Sequence, residues 1–211
     1  MSLEIKQDVP LAGYTTFRIG GPAKYFVNVT KAEEISEALK FASEQKVPVF
    51  FLGGGSNLLV SDEGFPGLVI TFNNRGHEVV SESDSEVVVR IAGGENWDDT
   101  VAWTVENNWW GIENLSLIPG KSGSAVIQNI GAYGTELDEL FESVTVFDTE
   151  DETTKTLSAE DCKFAYRSSI FNTTHKGRYV IISLDLRLKK KDEAKTGYPD
   201  VQKYLSDHGI T

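Results

Sequence analysis

The sequence predicts a mixed α/β fold made of two units, each of which combines strands with a helix. Residues 24–53 have the pattern of a strand, an amphipathic helix and a second strand. Residues 86–108 begin another unit with a β-branched run and a capped helix, and two more strand-like runs follow later. The 211 residues are enough for one large domain or for two small domains that share an interface.

The first unit is defined by its strands and by the start of its helix. The segment KYFVNV (residues 24–29) is aromatic and β-branched, as strands prefer. Thr30 and Glu33 form a predicted capping box before an apolar helical face made by Ile35, Ala38, Leu39 and Ala42. The run VPVFFLG (residues 47–53) returns the chain to a strand, and GLVITF (residues 67–72) predicts another.

The second unit contains one helix and three strand-like runs. EVVVRIAGG (residues 86–94) predicts a strand, and Asn96 can cap a helix that extends to about Asn108. The other strand-like runs are SVTVFD (residues 143–148) and YVIISLDLRL (residues 179–188), and an acidic, hairpin-like connection follows the first of them.

Composition and charge restrict the range of functions. Hydrophobic residues make up 40% and charged residues 25% of the chain, as in ordinary globular proteins. The net charge of -12 disfavours nucleic acid and anionic membranes as partners, and the sequence indicates no obligate protein partner. No apolar run approaches the roughly 20 residues that span a bilayer, and no signal-peptide pattern opens the chain. Together with the single cysteine, these features predict a cytoplasmic location.

We predict no metal site. Cys162 cannot form a cysteine cage alone and is most simply a packed thiol. His77, His175 and His208 stand in polar, separated stretches without ligand spacing, so we expect them at the surface. No basic residues interleave with the tryptophans, and we therefore expect core and helix-packing roles for Trp97, Trp103, Trp109 and Trp110.

A run of glycines follows the second strand of the first unit. Gly53, Gly54 and Gly55 permit positive φ, so that successive N–H groups can point into one concavity and hold an anion such as a diphosphate. Ser56 and Asn57 add side-chain donors. The segment is neither a Walker loop nor a G-x-G-x-x-G motif, and a flexible turn after a strand is the alternative interpretation.

A second segment rich in small residues is PGKSGSAVIQNIGAYG (residues 119–134). Pro119 and Gly120 turn the chain, and KSGSAVIQN predicts a short helix whose N-terminal amides are free. A flat ring or a phosphate could then lie against the backbone. Gln128 and Asn129 diverge by about 100° on a helix and would not face one ligand there. The alternative is a tight packing turn between a strand and a helix.

Arg167 is the only charged residue between Phe164 and Ile170. A guanidinium group among aromatic and small side chains is suited to a two-pronged contact with a carboxylate or a phosphate. The alternative is an arginine on a solvated edge or in an ion pair, which is the usual case.

Four motifs together, YTTFRIGGPA, FLGGGSN, ENLSLIPGKSGSAVIQNIGAYG and CKFAYRSSIF, resemble the UDP-N-acetylenolpyruvoylglucosamine reductase family, in its enterobacterial-type branch. They match in order and separation and cover the chain from about Tyr14 to Leu188. The resemblance implies a two-subdomain FAD-binding domain of the vanillyl-alcohol-oxidase (PCMH) type, of α+β or α/β class. It places the first FAD-binding subdomain in residues 1–75, the second in residues 76–190, and the start of a missing substrate-binding domain in residues 191–211.

The resemblance also implies roles for single residues. The resemblance implies three groups of cofactor-binding residues. The group at the diphosphate is Gly53, Gly54, Gly55, Ser56, Asn57 and Leu58, and the group along the rest of the dinucleotide is Ile118, Pro119, Gly120, Gly123 and Ser124. The group near the isoalloxazine ring and the substrate is Gln128, Asn129, Gly131, Ala132, Tyr133, Gly134 and Ile181. Arg167 is the implied catalytic residue and contacts both cofactor and substrate, and Tyr133 and Tyr166 are expected beside it at the substrate.

The implied reaction reduces UDP-N-acetylglucosamine enolpyruvate to UDP-N-acetylmuramate, a precursor of peptidoglycan. NADPH is the co-substrate, and a non-covalently bound FAD passes hydride to the enolpyruvyl C3. The fixed charge of Arg167 would stabilise the negative charge on C2 and its carboxylate. The family also uses a proton-donating serine and a late glutamate, and no such stretch occurs in this sequence. We therefore expect this chain by itself to be inactive or nearly so.

Two alternative functions stay open at the level of sequence. One is an FAD-dependent oxidase or dehydrogenase of the same superfamily with another substrate, which residues of a substrate domain would decide. The other is a flavin-binding module without catalysis. The joint presence of the glycines, Gln128, Asn129 and Arg167 argues against a decayed site, which would have no reason to retain them together.

Overall fold

The computed structural model describes residues 3–192 and 194–210. Within them the chain forms two main β-sheets, one short β-ribbon and five α-helices. The strands are β1 Lys6–Pro10, β2 Pro22–Val29, β3 Val49–Leu52, β4 Phe65–Phe72, β5 His77–Glu82, β6 Glu86–Ala92, β7 Gly131–Ala132, β8 Thr135–Glu136, β9 Phe141–Asp148, β10 Thr153–Ser158 and β11 Tyr179–Lys189. The helices are α1 Ala32–Gln45, α2 Trp97–Glu106, α3 Ser122–Ile127, α4 Ala159–Cys162 and α5 Pro199–Asp207.

The first sheet has the strand order β1-β2-β4-β3. Its strands β2, β3 and β4 are parallel, and β1 pairs with β2 in the antiparallel direction. Helix α1 covers one face, where Ile35 and Ala38 are fully buried in one cluster with Val27 and Ile70. Because the three parallel strands end at the same edge, the glycine-rich loop after β3 lies beside the ends of β2 and β4, a common position for ligand sites.

The N-terminus of α1 differs in detail from the sequence prediction. The carboxylate that reaches back belongs to Glu34, which accepts hydrogen bonds from the backbone N–H groups of Thr30 (2.6 Å) and Lys31 (3.1 Å). The predicted capping box with Glu33 is therefore wrong by one residue, because the helix begins at Ala32.

The second sheet is antiparallel, with the strand order β10-β9-β11-β6-β5. One of its faces packs against α2 and α3 in a core that includes Trp97, Val101, Val126 and Leu184. Phe147 and Val180, from β9 and β11, instead join the buried cluster of the first sheet and α1. The two sheets thus share a core. The predicted mixed fold is confirmed, whereas the domain boundaries stay a prediction.

Most predicted elements are present, and several others were not expected. The strands at residues 24–29, 67–72, 143–148 and 179–188 are confirmed within slightly longer strands. Helix α2 starts as predicted, since the Asn96 side chain accepts from the N–H groups of Asp98 and Asp99. It ends at Glu106 rather than near Asn108. The short or polar elements β1, β5, β10 and α4 carry no clear apolar period and were missed.

The aromatic and sulfur-containing side chains pack largely as expected. Trp97 is buried and donates its indole N–H to the carbonyl oxygen of Leu115 (2.9 Å). Cys162 is buried, and burial raises the pKa of its thiol to about 12. The surface prediction is confirmed for His208 and wrong for His77 and His175, which are half-buried. His77 is stacked on Trp103 with ring centres 4.6 Å apart. Burial lowers the pKa of His77.

Among the residues that the structure describes, no helix has both the length and the apolar character needed to cross a membrane. The same residues hold no group of three or more His, Cys, Asp or Glu side chains arranged to bind a metal ion.

A buried carboxylate links β9 to the chain entering β11. The Asp148 side chain is fully buried and accepts a two-pronged contact from Arg178 (2.9 and 2.7 Å). Lys155 lies on the same carboxylate at 2.6 Å. Hydrogen bonding from Arg178 and then from Lys155 holds the pKa of Asp148 well below its usual range. The charged form of Asp148 is therefore the one that stabilises the fold.

We expect Asp148→Asn to lower the free energy of unfolding by about 2–4 kcal/mol at pH 7, because Arg178 and Lys155 lose the buried carboxylate that they share and keep only exposed acidic partners. A carboxylate whose pKa is lowered in the folded protein stabilises the fold fully above the pKa that it has in the unfolded chain, about 3.9. This stabilisation is lost as the pH falls further. Urea denaturation at pH 7 and at pH 3 should therefore show a smaller difference between the variant and the wild type at pH 3. Asp84→Asn, an exposed carboxylate in the β5–β6 turn, is the matched control. An equal loss in both variants would contradict the prediction.

Candidate functional site

The two segments singled out by sequence face each other across a cleft between the sheets. The glycine-rich loop follows β3, and the segment before α3 approaches it from the second sheet. Ser56 Oγ donates a hydrogen bond to the carbonyl oxygen of Pro119 (3.1 Å). Asn57 Nδ2 donates to Gln128 Oε1 (3.3 Å). The first bond joins two residues that are 63 positions apart in the sequence, and the second joins two residues that are 71 positions apart.

Glycine is required in the loop because other backbone lies too close for a side chain. A Cβ atom on Gly54 would stand 2.8 Å from the Cα atom of Gly120. Gly55 has φ of +64°, and a Cβ atom there would stand 2.0 Å from the carbonyl oxygen of Tyr14. The loop is therefore held between two other stretches of backbone, in a conformation that larger residues could not adopt without movement.

The start of α3 is bonded within the protein rather than free. The N–H group of Ser122 donates to the carbonyl oxygen of Glu95 (2.9 Å), and that of Gly123 donates to Gly93 (2.8 Å). The expectation of free N-terminal amides is thus wrong for these two groups, because the end of β6 runs alongside the helix start. This arrangement fixes α3 to the second sheet and sets the width of the cleft.

Gln128 and Asn129 have different environments, although neither lies on a helix, because α3 ends at Ile127 and not at Asn129 as predicted. Gln128 is half-buried and bonds across the cleft to Asn57. Asn129 is buried, and its Nδ2 donates to the carbonyl oxygen of Ala165 (3.1 Å) while its Oδ1 accepts from the N–H of Asp138 (3.1 Å). The Asn129 side chain therefore holds the turn that carries Arg167.

Arg167 projects from a tight turn beside the cleft. Ala165 and Ser168 exchange backbone hydrogen bonds, and Arg167 between them has φ of +54°. Its Nη2 donates to the carbonyl oxygen of Gly131 (2.6 Å), and Asn172 Nδ2 donates to the Arg167 carbonyl (3.2 Å). Among the described residues, no carboxylate lies within ion-pair distance of this guanidinium group. The ion-paired alternative is thus not seen here, whereas the alternative of an arginine on a solvated edge stays open, because Arg167 is exposed.

Most of the predicted site residues line one of two adjoining cavities. The first, the main cavity, has a volume of about 470 Å³, and its lining includes Ser56, Asn57, Ile118, Pro119, Ser124, Gln128 and Arg167. The second, of about 330 Å³, is lined by residues that include Gly131, Ala132, Tyr133, Gly134, Tyr166 and Arg167. Arg167 belongs to both walls, so a ligand in either cavity can reach its charge.

The other predicted residues line neither of these two cavities; they are Gly53, Gly54, Gly55, Leu58, Gly120, Gly123 and Ile181. Ile181 lines a narrow apolar slot of about 80 Å³ at the inner end of the cleft, together with Phe51, Ile70, Phe72 and Val180. The Leu58 side chain packs instead with Leu11 and Leu52 in a separate cluster on the first sheet. Leu58 is therefore not among the residues that line the main cavity.

Sequence reasoning missed Lys121, which lines the slot, the main cavity and a third cavity beside Gly53 and Gly54. Its Nζ donates to the carbonyl oxygen of Phe72 (3.2 Å) and to Asn73 Oδ1. Burial, and then the nearby positive charge of Arg75, lowers the pKa of Lys121 to about 8. The signal was available, because Lys121 is the only charged residue between Glu113 and Glu136.

The cleft as a whole suits an extended ligand that is both anionic and flat. Its centre offers cations, hydroxyl groups and close backbone, which are the contacts that phosphate groups use. Its inner slot is apolar and narrow, as a planar ring requires. A dinucleotide combines these two properties, and the residues present therefore fit such a cofactor.

Comparison with known proteins gives the same result. Residues 23–158 match the model of the family described as "FAD binding domain". The chain is 40% identical over 210 residues to the UDP-N-acetylenolpyruvoylglucosamine reductase of Flavobacterium johnsoniae, covering 99% of this chain and 61% of that protein. It is 38% identical over 210 residues to the protein of the same name from Pseudomonas aeruginosa, again covering 61% of its length. The chain thus spans less than two thirds of these curated relatives.

Solved structures agree on the fold. The UDP-N-acetylenolpyruvylglucosamine reductase from Thermus caldophilus is 28% identical, with a TM-score of 0.71 over 99% of this chain and 69% of that one. A solvent-stable cholesterol oxidase, 15% identical, has a TM-score of 0.63 over 90% of this chain and 38% of that one, and shares the fold alone. The matched family model and the geometry of the cleft lead to one conclusion. This chain belongs to the FAD binding domain family, and its cofactor is FAD.

Proposed function

We propose that these residues are the FAD-binding part of a UDP-N-acetylenolpyruvoylglucosamine reductase. The enzyme would use NADPH to reduce UDP-N-acetylglucosamine enolpyruvate to UDP-N-acetylmuramate in the cytoplasm, for peptidoglycan synthesis. The observation that carries the proposal is the position of Arg167, whose side chain lines both the main cavity and the adjoining one. The similarity over nearly the whole chain to proteins of that name supports it.

The residues of the cleft would divide the dinucleotide among themselves. Gly53 to Asn57 and Ile118 to Ser124 would hold the diphosphate and the adjacent sugar, because they offer close backbone and hydroxyl groups. On the flavin side of the cleft, Gln128 would keep the two walls together through its hydrogen bond with Asn57. When bound, FAD supplies the transfer of hydride from NADPH to the substrate.

Arg167 would stabilise the substrate during reduction. Hydride adds to C3 of the enolpyruvyl group and a proton adds to C2, so that negative charge is carried meanwhile by C2 and the attached carboxylate. A guanidinium group on this carboxylate would lower the barrier, since it keeps its positive charge throughout. The bond from Arg167 Nη2 to Gly131 leaves other N–H groups for that contact.

Two tyrosines would complete the substrate side. Tyr133 and Tyr166 are 48% and 79% exposed, and both line the second cavity with Arg167. The aromatic edge of Tyr198 packs against Tyr133 with ring centres 5.4 Å apart. We assign these phenols to contacts with the UDP-sugar.

The proton for C2 would come from another residue, because a guanidinium group is not an acid at neutral pH. In the family that this sequence resembles, a serine supplies it and a late glutamate assists. We therefore expect these residues by themselves to bind FAD and to be inactive or nearly so.

Gly54→Asp should abolish retention of FAD. The new side chain would meet the backbone of Gly120 at 2.8 Å and would place a carboxylate where the diphosphate is expected. An absorbance spectrum after incubation with FAD and desalting measures the retained flavin. Gly197→Asp adds the same charge at an exposed glycine with open space around it and should retain FAD like the wild type. Equal retention in both variants would count against this placement of the diphosphate.

Arg167→Ala should lower kcat by about 100-fold or more while FAD stays bound, as for the loss of a group that stabilises a developing negative charge. The measurement uses a chimera in which residues 1–211 are joined to the remaining part of the Flavobacterium johnsoniae relative, with consumption of NADPH as the readout. Arg167→Lys, which keeps the charge without the fork, should retain more activity than the alanine variant. A kcat within threefold of the unmutated chimera would rule out the proposed role.

A further inference from the structure

We propose that the Lys121 ammonium group binds the diphosphate of FAD and supplies the main local positive charge for it in this acidic chain. The proposal rests on the cofactor assignment above and gives a specific role to a side chain within residues 118–124 that was not singled out from the sequence.

The position of Lys121 is central to the cleft. It directly precedes α3, and its side chain crosses toward the ends of the parallel strands of the first sheet. It lines the apolar slot, the main cavity and the third cavity. The slot shares Ser124 with the main cavity and Gly53 with the third cavity. A ligand that extends from the slot into the main cavity must therefore pass this side chain.

Neighbouring side chains hold the ammonium group in place. It donates to the Phe72 carbonyl oxygen and to Asn73 Oδ1. The Asn73 amide in turn donates to Asn28 Oδ1, which also accepts from the Thr71 hydroxyl (2.9 Å). An ammonium group has three N–H donors, and these two contacts leave one for a ligand.

The charge of Lys121 is not balanced within the part of the chain that the structure describes. No carboxylate there lies within 4.0 Å of its Nζ, although the protein carries a net charge of -12. After burial, the charge that lowers the pKa of Lys121 is that of Arg75, which has the same sign. Holding a half-buried cation beside another cation is unfavourable, and a bound diphosphate would remove this penalty.

The proposal predicts a specific dependence on pH. Because the pKa of Lys121 is about 8 in the free protein, the cationic form that binds an anion is lost as the pH rises through 8. The other charged groups facing this region are Arg75 with its partner Glu95, Arg18 on the third cavity and Arg167 on the main cavity. Against the effect of burial, hydrogen bonds from the Gly76 N–H group and from Arg75 lower the pKa of Glu95, so that its carboxylate is ionised at pH 7 and at pH 9. The FAD affinity of the wild type should therefore fall by up to about tenfold between pH 7 and pH 9.

The test is a titration of FAD fluorescence with wild type, Lys121→Met, Lys121→Arg and Lys40→Met at pH 7, 8 and 9. Lys40→Met removes the same charge from the exposed face of α1 and is the matched control. At pH 7 we expect Lys121→Met to weaken FAD binding by about tenfold or more, and Lys40→Met to have no effect. Lys121→Arg should bind well at all three pH values, because its charge does not titrate, and the methionine variant should also lose the pH dependence. Thermal unfolding of each variant shows that it is folded.

Three results would overturn the proposal. The first is an FAD affinity of Lys121→Met within twofold of the wild type. The second is a combination of two findings: Lys121→Arg does not restore the FAD affinity that Lys121→Met loses, and Lys121→Met keeps the pH dependence of the wild type. Lys121 would then only pack against the cleft. The third is an absence of FAD binding by the wild type itself, which would reject the cofactor assignment as well.

Discussion

The structure depends on the close approach of two backbone segments from different sheets. The loop after β3 and the segment before α3 approach each other at Gly54 and Gly120. The approach is so close that a Cβ atom on Gly54 would force the two segments apart. Around this contact, the first sheet contributes the ends of its parallel strands and the second contributes the end of β6. The shared buried cluster of Phe147, Val180 and α1 keeps the sheets from sliding. A cleft with fixed walls results, because both walls are bonded to regular structure.

The distribution of charge separates the cleft from the rest of the molecule. On the second sheet and at its ends, Arg90, Arg178 and Arg187 each form two-pronged contacts with a carboxylate. Lys121 and Arg167, in the cleft, have no such partner among the described residues. In a protein with net charge -12, unpaired cations gathered in one cleft indicate an anionic ligand. The dinucleotide and the substrate carboxylate would supply these anions.

The sequence predicted the parts of the fold that have a strong local signal. Strands such as GLVITF and the Asn96 cap of α2 were identified because apolar runs and capping residues act locally. The antiparallel character of the second sheet and the sharing of a core between the sheets depend on contacts distant in sequence, which no local pattern encodes. The position of Glu34 in place of Glu33 at the start of α1 shows the same limit on a small scale.

The site was predicted unevenly, for physical reasons. Glycines and small residues revealed where backbone segments must approach, and Arg167 was found because it is an isolated charge in an apolar stretch. Lys121 has the same property but was passed over, since the importance of its ammonium group appears only when the ends of β2 and β4 are brought beside it. The N-terminal amides of α3 were judged free because their partners, Gly93 and Glu95, lie about 30 residues away in the sequence.

A crystal structure of this chain with FAD would test the central claim most directly. The account predicts a diphosphate between residues 53–57 and 118–124, with an oxygen within hydrogen-bond distance of Lys121 Nζ and the flavin ring on the side of Arg167. FAD bound outside this cleft, or a diphosphate turned away from both segments, would contradict it.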